Sequence, residues 1–452
     1  MLTRRQFVLT GAAALAGRNL LALPLQSRPR PSASQLQWQR DELAMFLHFG
    51  VNTFTDREWG DGTESPTIFN PARLDARQWA RTAKAAGFRA MILTAKHHDG
   101  FCLWPTRTTK HSVASSPFRG GQGDVVREFV DACRAENLRP GVYLSPWDRN
   151  NPLYGDSPRY NDLYADQLTE LLKNYGAMAE VWFDGANGEG PNGKKQQYDW
   201  PRVWGLVRQL QPEAVMFSDS GPDVRWCGNE RGSAGDPNWS TVNPDVVPYP
   251  GASGPAIIPA LQHGDPKGTV WRPAEADVSI RPGWFYHPAE DGRVKTGDRL
   301  LDIYCQSVGR NSKLLLNVPP TRDGLIHDAD VASLTEFRAK REALFRVDTK
   351  AKRADFRRLD TSWVATVDLS PAITARAIRL EENIERGQNV AKHVVSYFPP
   401  QSDVGLALAD STTIGHARIH RLEKPVSISM LHVRVTESVA RPEPLTIKIY
   451  SA

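Results

Sequence analysis

Between residues 40 and 345 the chain alternates short apolar runs with amphipathic helical stretches, and few folds accept that pattern for so long. The apolar runs are Ala44–Gly50, Arg89–Lys96, Arg139–Ser145, Met178–Asp184, Ala214–Ser220, Val270–Val278 and Leu314–Val318. Between them Ala76, Trp79, Ala80 and Ala83 recur at i, i+3, i+4 and i+7, as do Leu168, Leu171, Leu172 and Tyr175. Asp124 stands where a cap would precede a helix carrying Val126, Phe129, Val130 and Cys133. Strands separated by helices pair in parallel, and this length and count favour a (β/α)8-like (TIM) barrel over a doubly wound sheet. No P-loop supports the latter. The barrel is expected over residues 36–345. After Phe345 helical periodicity stops, and β-rich runs such as Trp363–Leu369, Ala377–Leu380, Val426–Val435 and Leu445–Tyr450 follow. Pro, Asn, Ser and Gly punctuate them, so residues 346–452 are expected to form a small all-β sandwich.

Residues 1–35 stand apart as a leader and linker. Thr3-Arg4-Arg5-Gln6-Phe7-Val8-Leu9 resembles a twin-arginine export signal, and Phe7 to Gly17 is modestly apolar. Arg18 interrupts that stretch well short of the ~20 residues of a spanning helix. Such a signal carries folded proteins, so the mature chain is expected to be periplasmic or secreted, with cleavage near Ala22 or Ala33. The net charge of +5 resides wholly in the five arginines of this segment. The neutral remainder offers no electrostatic case for a nucleic-acid or anionic-membrane partner. Cys102, Cys133, Cys227 and Cys305 lie far apart with no zinc spacing, so the fold is not expected to depend on a disulfide.

Polar groups gather where the candidate strands end. The first ends Phe46-Leu47-His48-Phe49-Gly50 and the second Lys96-His97-His98-Asp99-Gly100. The third reaches Tyr143 and then Trp147-Asp148, and the fourth runs Glu180-Val-Trp-Phe-Asp184 into Gly185. In a barrel these termini converge on one mouth. A zinc site is disfavoured, because the first strand offers only His48 and the adjacent His97 and His98 would point to opposite sides of an extended chain. No GxSxG occurs, and no cysteine has a neighbouring histidine. Paired carboxylates remain: Asp184, with either Glu230 in a Gly-rich segment or Glu275 in Trp271-Arg-Pro-Ala-Glu-Ala-Asp277. Neither a metal nor another cofactor is called for. The histidines suit donation of hydrogen bonds to a polyhydroxylated ligand, and thirteen tryptophans are consistent with a sugar-binding cleft.

Taken together and in order, several motifs resemble the α-L-fucosidases of glycoside hydrolase family 29. They are Phe46-Leu-His-Phe-Gly50, Glu58-Trp-Gly-Asp-Gly62, Lys96-His-His-Asp-Gly-Phe101, Glu180-Val-Trp-Phe-Asp-Gly185, Arg225-Trp-Cys-Gly-Asn-Glu230 and Leu315-Leu-Asn-Val-Pro-Pro320. The resemblance implies a barrel with a C-terminal β-sandwich and an exo-acting, retaining double displacement on a fucosylated oligosaccharide or glycoconjugate. Asp184 would be the nucleophile and Glu230 the acid/base, with Glu275 its rival. His48, His97 and His98 match residues that bind fucose hydroxyls, and Glu58, Trp59, Tyr143 and Trp182 match the pocket wall. The Gly-Asn-Glu segment resembles the subgroup that removes α-1,3- and α-1,4-linked fucose. A glycosidase for another sugar and a catalytically degenerate glycan-binding protein are the alternatives.

Overall fold

A computed structural model describes residues 28–346 and 352–451. The twin-arginine-like segment and the Ala22 cleavage point lie outside the described residues.

Eight parallel strands close into a barrel in sequential order. They are Leu43–Leu47, Ala90–Lys96, Arg139–Leu144, Glu180–Trp182, Val215–Ser218, Val224–Trp226, Ala274–Ser279 and Ser312–Asn317. Seven were legible as apolar runs. The sixth, Val224–Trp226, is three residues long and too short to show a period; it lies inside what reads as a Gly-rich loop. The Val270–Val278 run is two elements. Val270–Trp271 pairs antiparallel with Thr241–Val242, and the barrel strand begins at Ala274, after a proline that has no N–H for a ladder.

The helices between strands bury the expected stripes. Ala76–Ala86 hides Trp79, Ala80 and Ala83 behind an Asp75 cap, and Val125–Ala135 hides Val126, Phe129, Val130 and Cys133 behind Asp124, whose side chain accepts from Arg127 N–H. Apolar side chains of these helices and of the strands' outer faces form the main core. A second cluster, including Phe46, Tyr143, Trp182 and Phe217, fills the barrel interior.

The N-terminal face is plugged by helix Ala33–Asp41. Ser32 and Gln35 form a reciprocal capping box, which fixes where the helix starts. Gln35 donates to the carbonyls of Asp223 and Trp271, Trp38 donates to Glu180 and Trp271 donates to Gln39. All of these partners sit at or before strand starts, so the plug closes the end opposite the mouth. Arg28 reaches the carbonyls of Gln388 and Pro266, which ties the chain down even before the helix.

The C-terminal domain is one seven-stranded antiparallel sheet around its own apolar core. Its two long strands, Ser362–Glu381 and Arg418–Ser438, pair across register shifts. Arg418 grips both oxygens of Asp236 at 2.9 and 2.8 Å, and Gln388 donates to the Asn238 carbonyl, joining this sheet to the barrel. All four cysteines are free. Among the described residues no helix is long and apolar enough to cross a membrane.

Candidate active site

The C-terminal strand ends open onto a pocket of about 330 Å3 lined by Phe46, His48, Glu58, Trp59, His97, His98, Tyr143, Trp182, Asp184, Ala186, Glu230, Asp277 and Trp284. Every residue singled out from sequence is there except Glu275.

Asp184 lies two residues beyond the fourth strand, and both its oxygens are held. Tyr143 Oη donates to Oδ2 at 3.0 Å and the Ala186 N–H donates to Oδ1 at 2.7 Å. A side chain at Gly185 would collide with Asp219 and the Gly251 backbone, so only glycine lets this segment pack there. Burial, and then the Asp184 charge, push the Tyr143 hydroxyl well above its ordinary value, so Tyr143 stays a donor.

The histidines form one arc of the mouth. His97 and His98 do not diverge as an extended chain would require. The second strand stops at Lys96 and the chain turns, bringing the two rings to 4.1 Å between centroids. Burial pulls all three histidines down, His48 to about 3, so they are neutral. Hydrogen bonds then fix two tautomers. Asn317 Nδ2 donates to the Trp284 carbonyl and to Ser279 Oγ, so its Oδ1 must accept from the His48 N–H and from Nδ1, 2.8 Å away. His98 Nδ1 lies 2.8 Å from Ser145 Oγ, whose own proton goes to the Trp147 carbonyl. Both rings therefore carry the proton on Nδ1 and turn a lone pair on Nε2 outward. His98 Nε2 stands 3.9 Å from Asp184 Oδ2. Both rings thus have an acceptor, not a donor, free at Nε2.

The carboxyl groups form the other arc. Glu230 receives a hydrogen bond from Trp284 Nε1 at 3.3 Å. Burial raises its carboxyl above the ordinary value; the Trp284 N–H opposes this, while the charges of Asp184 and Glu58 add to it. Asp277, missed from sequence, receives Trp226 Nε1 at 2.7 Å and is raised well above its ordinary value by burial and by Glu230. Trp284, also missed, sits in a loop without periodicity. Glu58 holds that loop, accepting from the N–H groups of Trp284 and Phe285 and lying 2.8 Å from His287 Nε2.

Glu275 is the one site residue the structure places elsewhere. It is fully buried beneath the pocket floor, its Oε1 accepting from Trp182 Nε1 at 3.1 Å. Residues two apart on a strand share a face, so Glu275 and Asp277 both point inward, and Asp277, nearer the strand's end, is the one that reaches the mouth. That period would have found Asp277, given the strand's true end.

Comparison with known proteins agrees with this geometry. The α-L-fucosidase family model matches residues 63–339. α-L-Fucosidase 1 of Arabidopsis thaliana is 42% identical over 93% of this chain and 87% of its own. A glycoside hydrolase 29 family member from an unknown rumen bacterium superposes with a TM-score of 0.85 at 40% identity, covering 94% of this chain and 78% of its own. A Ruminococcus gnavus family 29 fucosidase, solved in complex with fucose, superposes with a TM-score of 0.83 at 30% identity over 94% of this chain and 95% of its own. A barrel whose mouth holds these carboxyl groups and neutral histidines, and which matches such relatives along nearly its whole length, belongs to the α-L-fucosidases of glycoside hydrolase family 29.

Proposed function

We propose that this fucosidase is a retaining exo-enzyme that removes terminal α-1,3- and α-1,4-linked L-fucose by double displacement. The observation that carries the mechanism is the pairing of two unlike carboxyl groups in one pocket. Asp184 has both oxygens oriented by donors, while Glu230 is held towards its protonated form by burial and by the Asp184 charge. In the first step Asp184 attacks the anomeric carbon, the glycosidic C–O bond breaks, and Glu230 gives its proton to the departing oxygen. In the second, water attacks the same carbon, Glu230 takes the water's proton and the Asp184 ester bond breaks. The lone pairs of His48 and His98 receive sugar hydroxyl protons, and Phe46, Trp182 and Trp284 give an apolar surface suited to the C5 methyl.

Support for the linkage is the resemblance of Gly228-Asn229-Glu230 to the subgroup acting on branched glycans. Proton NMR of the first-formed sugar tests the stereochemistry: α-fucose is expected, and β-fucose overturns retention. Release from Lewis trisaccharides exceeding release from an α-1,2-linked fucoside is expected, and the reverse order overturns the linkage.

Export by the twin-arginine-like leader is part of the same proposal. A cut near Ala22 leaves Arg28 and the Ser32 cap in place, whereas a cut at Ala33 removes both. N-terminal sequencing of the periplasmic form is expected to begin before Arg28; a start at Ser34, or retention in the cytoplasm, overturns it.

A further inference from the structure

Beneath the pocket floor three charged side chains are sealed inside the barrel. Glu180 begins the fourth strand, Glu275 lies on the seventh and Lys313 on the eighth, and none is more than 1% exposed. Lys313 Nζ is 2.9 Å from Glu180 Oε2 and 3.8 Å from Glu275 Oε2. Trp38 Nε1 donates to Glu180 Oε2 at 2.9 Å, and Trp182 Nε1 donates to Glu275 Oε1. Two oxygens are left over: Glu180 Oε1 and Glu275 Oε2 are buried and accept from no donor. Both carboxyl groups flank the same ammonium, and burial, then the Glu180 charge, push the Glu275 carboxyl well above its ordinary value.

One lysine cannot neutralise two buried carboxylates, and an uncompensated buried charge is strongly destabilising. A single proton on Glu275 removes the excess charge and makes its orphan oxygen a donor. We infer that Glu275 holds a proton, forming with the Glu180–Lys313 ion pair a neutral unit that holds the Trp182 indole as the pocket floor. Glu275 is then a positioning residue and not the acid/base. Its effect travels through Trp182, whose ring stacks on Phe217 at 4.3 Å and meets Tyr143, the donor to Asp184, at 5.0 Å. Only the activity readout below rests on the pocket being the fucose site.

The test compares wild type with E275Q, E275A, K313M and K313M/E180Q. A carboxylic-acid C=O band is expected in the infrared difference between wild type and E275Q near neutral pH. Glutamine offers the same neutral donor, so E275Q should keep kcat and KM close to wild type. E275A frees the indole and should lower kcat/KM by about a hundred-fold, the scale of an ångström-sized misplacement. In wild type the folded state keeps a proton that the unfolded chain releases, so stability should fall as pH rises above the ordinary glutamate range. E275Q should show a shallower fall, by one proton. K313M should melt lower, and adding E180Q should recover the melting temperature. Absence of the acid band overturns the inference even if activity is as proposed. So does E275Q proving as harmful as E275A, or no recovery in the double variant. Loss of fucose release in wild type would sink the proposed function and leave the infrared and stability results to stand by themselves.

Discussion

In the two arcs of the mouth one force acts on opposite chemistries. Burial pulls the histidines His48, His97 and His98 down and pushes the carboxyl groups of Glu230 and Asp277 up. The histidine arc consequently presents lone pairs, and the carboxyl groups of Glu230 and Asp277 are biased towards holding protons. A polyhydroxylated ligand between them can donate to one side and accept from the other. The arcs should also fail at opposite ends of the pH scale. Unfolded histidines bind protons that the folded ones refuse, so His48 costs stability as pH falls from about 6.5 to about 3. The raised carboxyl groups hold protons that the unfolded chain releases, so they cost stability as pH rises above the ordinary carboxylate range.

The largest test of this contrast is Asp184→Ala, which should lower kcat by about ten-thousand-fold. Azide should restore part of that loss as a glycosyl azide, detected by mass spectrometry; no azide product would break the nucleophile assignment. Next, Glu230→Ala should cost about a thousand-fold on natural glycans, whose leaving groups need protonation, but under about tenfold on an activated aryl fucoside. Equal losses on both would remove Glu230 from the acid role. Asp277→Asn should be milder still, under about tenfold in kcat/KM, because burial already biases the side chain it replaces towards its protonated, amide-like form. A loss as deep as that of Glu230→Ala would make Asp277 the acid instead. The smallest effect is Trp284→Phe. Its N–H favours the ionised form of Glu230, so removing it should raise that carboxyl further and move the alkaline limb of the kcat/KM profile to higher pH. A downward shift would contradict the hydrogen bond.

The arcs differ equally in how far sequence discloses them. His48, His97, His98, Tyr143 and Asp184 sit at or just past the ends of strands long enough to show as apolar runs, or, for Asp184, in a contiguous Trp-Phe-Asp motif. Once the barrel is recognised their convergence follows. The carboxyl arc hangs on a three-residue strand, on a seventh strand whose start is masked by the preceding ribbon, and on a loop with no period. Glu230 is visible there by residue type and by the resemblance of its Gly-Asn-Glu segment, not by any strand pattern. Glu275 and Asp277 could not be told apart until the strand's end was known, because both face inward and only depth distinguishes them. The tautomers of His48 and His98 were beyond sequence altogether. They depend on Asn317 and Ser145, which are brought beside the rings by the closure of the sheet.

The plug helix at the barrel's lower end has a practical corollary. The anchors Gln35, Trp38 and Gln39 of Ala33–Asp41 touch the N-terminal ends of strands, while fucose release is assigned to the far face. A resin, dye or partner domain grafted ahead of Arg28 would therefore hang from the underside, leaving the mouth free to meet even a bulky, surface-bound glycan.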